Sequence, residues 1–387
     1  MVSLGSARRG DFLLEADMAF CNHGSFGATP RVVQDEARRW RERMEAQPLR
    51  FMLHELPPAL DAAIATLATF VGAPAEHLCF VDNATSGVNA VVRSLPLERG
   101  DRVVTTTHVY GAVRNALQFV CSRVGASLFE VPIPFPSGGA DEVVEALDAA
   151  LRASDALLVV DQITSPTGLV LPIERLVALA RDRGVPVLVD GAHAPGQLDL
   201  DLAALGADWW TGNLHKWALA PKSAALLYAR PERWETLRSH VISHVVEGPA
   251  AFHWPGTRDF SPWLAAPAGL AYLEELGLER VRAYGRELVL EAGHHLCGAW
   301  GVSRPQPDEL VGQMLTLPLP TDLPATVEVA DRLHDRLWRD HRVEAPVHPF
   351  GDRLWTRISG QVYNTKADYE ELGTAVLELV NHPTKEP

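Results

Sequence analysis

Residues 185–222 read VPVLVDGAHAPGQLDLDLAALGADWWTGNLHKWALAPK, and the fold can be worked outward from them. The run from Val185 to Val189 is unbroken apolar sequence, the pattern of a strand buried on both faces. It stops at Asp190 and a glycine turn, which is the carboxyl edge where open α/β sheets gather functional groups. A helical pattern and a second strand, DWWTG at 208–212, intervene before Lys216, flanked by His215 and Trp217. An amine desolvated by such neighbours loses basicity and becomes a usable nucleophile. Taken alone, an acid at a strand end such as Asp190 is more often a helix cap.

Five further β-rich runs surround this stretch, and together with its own two they alternate with helical patterns. They are LCFVD at 78–82, RVVTTT at 102–107, SLFEVP at 127–132 and ALLVVD at 156–161 before it, and AALLYA at 224–229 after it. Strands alternating with helices predict a mostly parallel sheet covered on both faces. Upstream, Thr29-Pro30 predicts the cap and first turn of a helix. Downstream, the segment from Val246 to Pro262, punctuated by glycine and proline, predicts a crossing between two domains. Helical patterns near 264–300 and 325–340, strand-like stretches at 310–319 and 353–359, and a capped helix from Thr365 predict a smaller α+β unit.

The chain has 387 residues, more than a single core of roughly 250–300 residues normally holds, so two domains are expected. With 47% hydrophobic and 22% charged residues it has ample material for both. A formal charge of −14 opposes phosphate backbones and anionic lipid surfaces, so neither nucleic acid nor membrane is an expected partner. No apolar run reaches the roughly eighteen residues of a membrane span, and acidic residues interrupt the first twenty positions where an export signal would be apolar. Cys21, Cys79, Cys121 and Cys297 form no CxxC pair, which fits a reducing cytoplasm and argues against a zinc ribbon.

Lysine occurs only at 216, 222, 366 and 385, so candidate amine nucleophiles are few. His240-x-x-x-His244 lacks the glutamate a zinc protease places between its histidines, and no metal is expected. Ala220-Pro221-Lys222-Ser223 ends like a phosphate-binding loop but has none of its glycines, and no GxGxxG follows a predicted strand.

The chain resembles the pyridoxal-phosphate enzymes of fold type I, within them the class V aminotransferase superfamily and its isopenicillin-N-epimerase-like group. The resemblance rests on the order and spacing of Asn22-His23-Gly24-Ser25-Phe26-Gly27, Asn83-Ala84-Thr85-Ser86-Gly87, Ser165-Pro166-Thr167-Gly168, Asp190-Gly191-Ala192-His193, Leu214-His215-Lys216-Trp217, Gly256-Thr257-Arg258-Asp259 and Arg357-Ile358-Ser359. It implies a mostly parallel seven-stranded large domain over 31–250, a smaller α+β domain over 251–387, and an N-terminal segment, 1–30, packing against the small domain and the active site.

The resemblance also implies roles. Lys216 condenses with the aldehyde of pyridoxal 5′-phosphate and later removes the substrate Cα proton. Asp190 faces the pyridine nitrogen, and His193 the phenolate oxygen. Thr85 and Ser86, opening a helix predicted over 85–94, bind the phosphate together with His215, while Ser165 also contacts the cofactor. Thr257 contributes to the partner's site in a homodimer. Tyr110 stands beside the ring as a stacking group and proton donor, and Arg357 grips the carboxylate of an amino-acid substrate. Arg50, Asn22 and His23 are candidates for reading the substrate side chain.

Several outcomes are open to such an enzyme. Cysteine desulfurases of the superfamily carry a cysteine on a mobile loop, whereas Cys297 here reads as helix. Epimerisation needs an opposite-face base, and no second lysine is expected in that place. Tyr110 as an acid suits β-elimination of a sulfur-linked amino acid, with epimerisation and transamination as alternatives.

Overall fold

In the computed structural model, which describes residues 3–381, the predicted strands assemble into one seven-stranded sheet. The strands are β1 (Leu78–Val81), β2 (Arg102–Thr106), β3 (Ser127–Val131), β4 (Leu157–Asp161), β5 (Val187–Asp190), β6 (Trp209–Asn213) and β7 (Ala225–Ala229). Their order across the sheet is β1-β7-β6-β5-β4-β2-β3, with only β7 antiparallel to its neighbours. Every residue of β4, β5 and β6 is buried, which explains why β4 and β5 read as apolar runs rather than alternations. Each Val or Leu so placed stabilises the fold by roughly 1.5–3 kcal/mol relative to exposure.

Helices cover both faces. Those that matter for the site are α1 (Arg31–Ala46), α2 (Leu56–Val71), α3 (Ala84–Ser94) and α4 (Gly111–Val124). The first of these begins one residue later than the Thr29-Pro30 reading predicts. Pro30 is the capping position, and the Thr29 hydroxyl instead donates to the carbonyl of Ala220, 3.1 Å away. A hydroxyl that has found a buried carbonyl is lost to the helix end.

Beyond the sheet come α5 (Ala266–Leu276), α6 (Leu278–Trp300), α7 (Val327–His341) and α8 (Lys366–Asn381). With them stands an antiparallel sheet of β8 (Met314–Pro318), β9 (Val347–Phe350) and β10 (Arg353–Ser359), ordered β9-β10-β8. Strand β8 starts later than the apolar run from residue 310 predicts, because the amide of Gln313 donates to the Gln197 side chain at 2.7 Å rather than to a neighbouring strand. The N-terminal segment joins this unit through a short parallel pairing of Ala19–Phe20 with Val343–Glu344.

The apolar cores divide the chain unevenly. Ala251, Phe252, Phe260, Trp263 and Leu270 are buried in the clusters of the large sheet, whereas from Leu288 onward α6 packs into a separate core with β8, α7 and α8. We propose that the domain boundary lies within α6, later than residue 250. No helix among the described residues is long and apolar enough to cross a membrane; Lys385 lies outside them.

Candidate active site

A cavity of about 670 Å³ opens at the carboxyl ends of the central strands. Asp161 and Asp190, the last residues of β4 and β5, line it. Asn213 ends β6 there, and the loop beyond contributes His215, Lys216, Lys222 and Ser223. Asp82 to Ser86 come from the start of α3, Tyr110 from the start of α4, and Ser25 and Phe26 from the N-terminal segment. Ala192, His193 and Ser165 complete the wall.

The start of α3 is fixed by two side chains that the motif reading passed over. Asn83 accepts a hydrogen bond from the Ser86 amide at 2.9 Å, and Asn213 accepts one from the Ala84 amide at 2.8 Å. Asn83 is therefore the cap and the helix begins at Ala84, one residue before the predicted start at Thr85. Thr85 and Ser86 still occupy its first turn and face the cavity, where the helix dipole favours an anion. Gly87 lets α3 approach β6, since a Cβ there would stand 2.2 Å from the Thr211 hydroxyl.

Lys216 is partly buried in the cavity wall, its Nζ 3.2 Å from His193 Nε2. Burial and the nearby Arg357 cation lower its pKa to about 7, with Asp190 pulling the other way. Asp190 is 3% exposed and accepts from the Ala192 amide at 2.9 Å. Burial raises its pKa, while that amide and Lys216 oppose the rise. His215 donates from Nδ1 to the Ala224 carbonyl at 3.0 Å, and burial lowers its pKa to about 4. Only its Nε2 is left for a ligand.

Beneath the lysine, His23 is fully buried, its Nε2 3.0 Å from the Lys216 carbonyl and its Nδ1 2.8 Å from the Tyr363 hydroxyl. His23 thus holds the lysine's backbone and does not line the cavity. Gly27, at φ 71°, passes so close to this loop that a Cβ would lie 2.3 Å from the His215 carbonyl.

Arg357, on β10, is 6% exposed. One Nη donates to the Ser165 carbonyl and hydroxyl, the other to the Ser25 hydroxyl at 3.1 Å, and its Nε is buried without a partner. A guanidinium with Nε unpaired beside Nη keeps one edge of the fork with which arginine can take a carboxylate. Arg357 lines a depression that shares Tyr110 and Ser165 with the main cavity. Tyr110 is 45% exposed between the two.

The remaining predicted residues are spread more widely. Asn22 stands behind Ser25, accepting from its hydroxyl at 2.5 Å and donating to Glu344 at 2.9 Å. Arg50 is outside the cavity of its own chain, with a side chain 70% exposed and 3.8 Å from Glu55. Thr257 lines a second, shallower depression with Arg258 and Ser223, which meets the cavity at Ser223. Lys222, not expected near the reacting centre, does line the cavity, its Nζ donating to the Gly27 carbonyl at 2.9 Å. Cys297 lies in α6 as expected, and none of the chain's cysteines lines the cavity.

Together these groups fit a phosphorylated pyridine aldehyde. The helix start suits the phosphate, the weakly basic amine suits the aldehyde, and the buried acids suit a ring nitrogen that carries a proton.

The family model described as Aminotransferase class-V matches residues 27–312. The chain is 37% identical to an isopenicillin N epimerase of Amycolatopsis lactamdurans, covering 92% of this chain and 94% of that protein. It is 31% identical to an L-cysteine desulfhydrase of Arabidopsis thaliana, covering 95% and 88%. The apo structure of a cysteine desulfurase from Thermococcus onnurineus superposes with a TM-score of 0.81 at 21% identity, over 98% of this chain and 99% of that one. By its sequence match, its sheet order and the residues its cavity presents, the chain belongs to the class V aminotransferase family of pyridoxal-phosphate-dependent enzymes.

Proposed function

We propose that the protein is a carbon–sulfur lyase, removing a sulfur substituent from Cβ of an α-amino acid. One observation carries this reading: Tyr110 lines both the cavity that holds Lys216 and the depression that holds Arg357. A hydroxyl there stands beside the side chain of an amino acid whose carboxylate is on Arg357 and whose Cα faces Lys216.

Bound pyridoxal phosphate supplies an aldehyde for the substrate amine and a ring that accepts the electron pair left when a bond to Cα breaks. The chain's own residues do the rest. Arg357 fixes the carboxylate and with it the direction of the Cα–H bond. Lys216 Nζ takes the Cα proton, and a pKa near 7 is the value at which an amine serves as base and, once charged, as acid in neutral solution. Tyr110 gives its phenolic proton to the departing sulfur, so the Cβ–S electron pair leaves as a thiol or sulfenic acid. Asp190 would hold the protonated ring nitrogen of the bound cofactor by its negative charge, and His193 would donate an N–H to the phenolate oxygen.

The relatives named desulfhydrase support this assignment, and so does a cavity without a cysteine nucleophile. Epimerisation is the second reading. It is favoured by Lys222, whose amine shares the cavity and whose pKa burial lowers, and by the relatives named isopenicillin N epimerase. Replacing Tyr110 with Phe separates the two. Lyase turnover should fall by about 10²-fold or more while exchange of the Cα proton with solvent continues; equal loss of both would count against Tyr110 as the leaving-group acid.

We further propose a homodimer in which Thr257 reaches the partner's phosphate site, and a reducing, cytoplasmic setting for the four free cysteines. Mixing inactive Lys216→Ala and Thr257→Ala protomers should restore activity, since one site of each heterodimer then carries neither substitution. Full activity in a verified monomer would contradict the shared site.

A further inference from the structure

Asp161 has no part in the roles assigned so far, yet its position is as deliberate as that of Asp190. Strands β4 and β5 are parallel neighbours, and their register sets Asp161 directly opposite Asp190. Residues opposite each other on adjacent parallel strands turn their side chains to the same face, and both acids line the cavity. Both are buried, Asp161 at 2% exposure and Asp190 at 3%. Oδ2 of Asp161 is buried without a hydrogen-bond partner. The groups that face the Asp161 carboxylate are the backbone amides of Tyr110 and of Asp161 itself, Asp190 on β5 and the Arg114 cation of α4. Arg114 is itself committed to Glu130, at 2.9 and 3.1 Å.

Two carboxylates side by side in a buried floor cannot both ionise cheaply, and one retains a proton. Backbone amides favour the charged form of both acids, but only Asp190 lies near the Lys216 cation, which favours its charged form further. Asp161 has the lone oxygen. We propose that Asp161 is a positioning residue that keeps a proton and directs it to the Asp190 carboxylate, so that the floor of the cavity carries a single negative charge, on Asp190. That charge equals the one positive charge of a protonated ring nitrogen, which two ionised acids would overmatch. The consequence for the cofactor rests on the reading of the site given above. The protonation itself does not.

Burial and the neighbouring Asp190 both push the Asp161 pKa up, in agreement with the geometry. The sequence contains the signal, since ALLVVD and PVLVD end in the same acid, but only the register makes them a pair.

The test is infrared spectroscopy of the full-length chain, with and without pyridoxal phosphate, at neutral pH. A carbonyl stretch of a protonated carboxylic acid is expected in the wild type, lost in Asp161→Asn and retained in Asp190→Asn. Absence of the band in the wild type, or its survival in Asp161→Asn with loss in Asp190→Asn, would overturn the proposal. A second measurement is the affinity of the cofactor-free protein for pyridoxal phosphate. Asp161→Asn, which keeps a neutral donor, should bind within about threefold of wild type, and Asp161→Ala should lose about tenfold or more by leaving the floor unsatisfied. Equal losses in the two variants would mean that the proton on Asp161 has no role. Failure of every variant and of the wild type to bind the cofactor, with the infrared band in place, would refute the cofactor reading alone.

Discussion

Nε2 of His193 lies 3.2 Å from Nζ of Lys216, and the direction of the proton between them is set by a third residue. The indole N–H of Trp217, which can only donate, reaches His193 Nδ1 at 3.3 Å. Burial and the adjacent Lys216 hold the His193 pKa well below its ordinary value, so the ring is neutral and its one proton sits on Nε2. His193 therefore donates toward the lysine amine, and toward any oxygen that a ligand places there.

Nitrogen-15 NMR of the cofactor-free protein should show His193 as the Nε2–H tautomer at neutral pH. Trp217→Phe removes the donor and should yield a mixture of tautomers. A pure Nδ1–H form in the wild type would contradict the geometry.

Lys216 should react as an amine whose pKa is about 7. Its neutral form is the nucleophile, so the rate at which the cofactor-free protein captures pyridoxal phosphate should rise with pH through about 7 and then level off. Asp190 is the influence that holds the lysine's proton on. Asp190→Asn should therefore move the midpoint to lower pH, and an unchanged midpoint would mean that the carboxylate is not ionised. Borohydride trapping and peptide mapping should place the cofactor on Lys216; finding it on Lys222 would refute the assignment.

Arg357→Lys keeps a charge but loses the planar fork. Losing one charge-assisted hydrogen bond, about 2 kcal/mol, should raise KM for an amino acid by about thirtyfold. Arg357→Ala should cost more, because the Ser165 carbonyl and the Ser25 hydroxyl lose their donor as well. An unchanged KM in both variants would remove Arg357 from the carboxylate site.

Gly27→Ala forces a side chain into left-handed backbone and against the His215 carbonyl. It should destabilise the fold by about 1–3 kcal/mol and weaken cofactor binding by shifting the lysine loop. Thermal unfolding and spectroscopic titration of the cofactor check the two effects separately.

The parts of this architecture that were readable in the sequence are those set by local burial. ALLVVD and PVLVD are strands because they are buried on both faces, and RLWTRIS coincides with β10. The Asp190 and Lys216 positions were legible for a related reason: each follows a buried strand at the edge where loops are free to carry function. What escaped notice depends on contacts between distant segments. Nothing local to Asn213 says that it caps α3, 129 residues away in sequence, and nothing local to His23 says that it braces Lys216. Lys222 enters the cavity because the loop after β6 folds back on Gly27. Arg50 has the residue type for substrate binding, but α1 and the turn after it carry it to the surface.

The central claim is that a substrate bound between Lys216 and Arg357 loses its sulfur substituent. Incubation of the enzyme with a β-sulfur-substituted amino acid in deuterium oxide, followed by NMR and chiral analysis of all products, tests it most directly. The predicted result is irreversible release of thiol, sulfenic acid or another sulfur species with equimolar keto acid and ammonia. Accumulation of the opposite enantiomer, deuterated at Cα with its side chain intact, would contradict it and establish epimerisation instead.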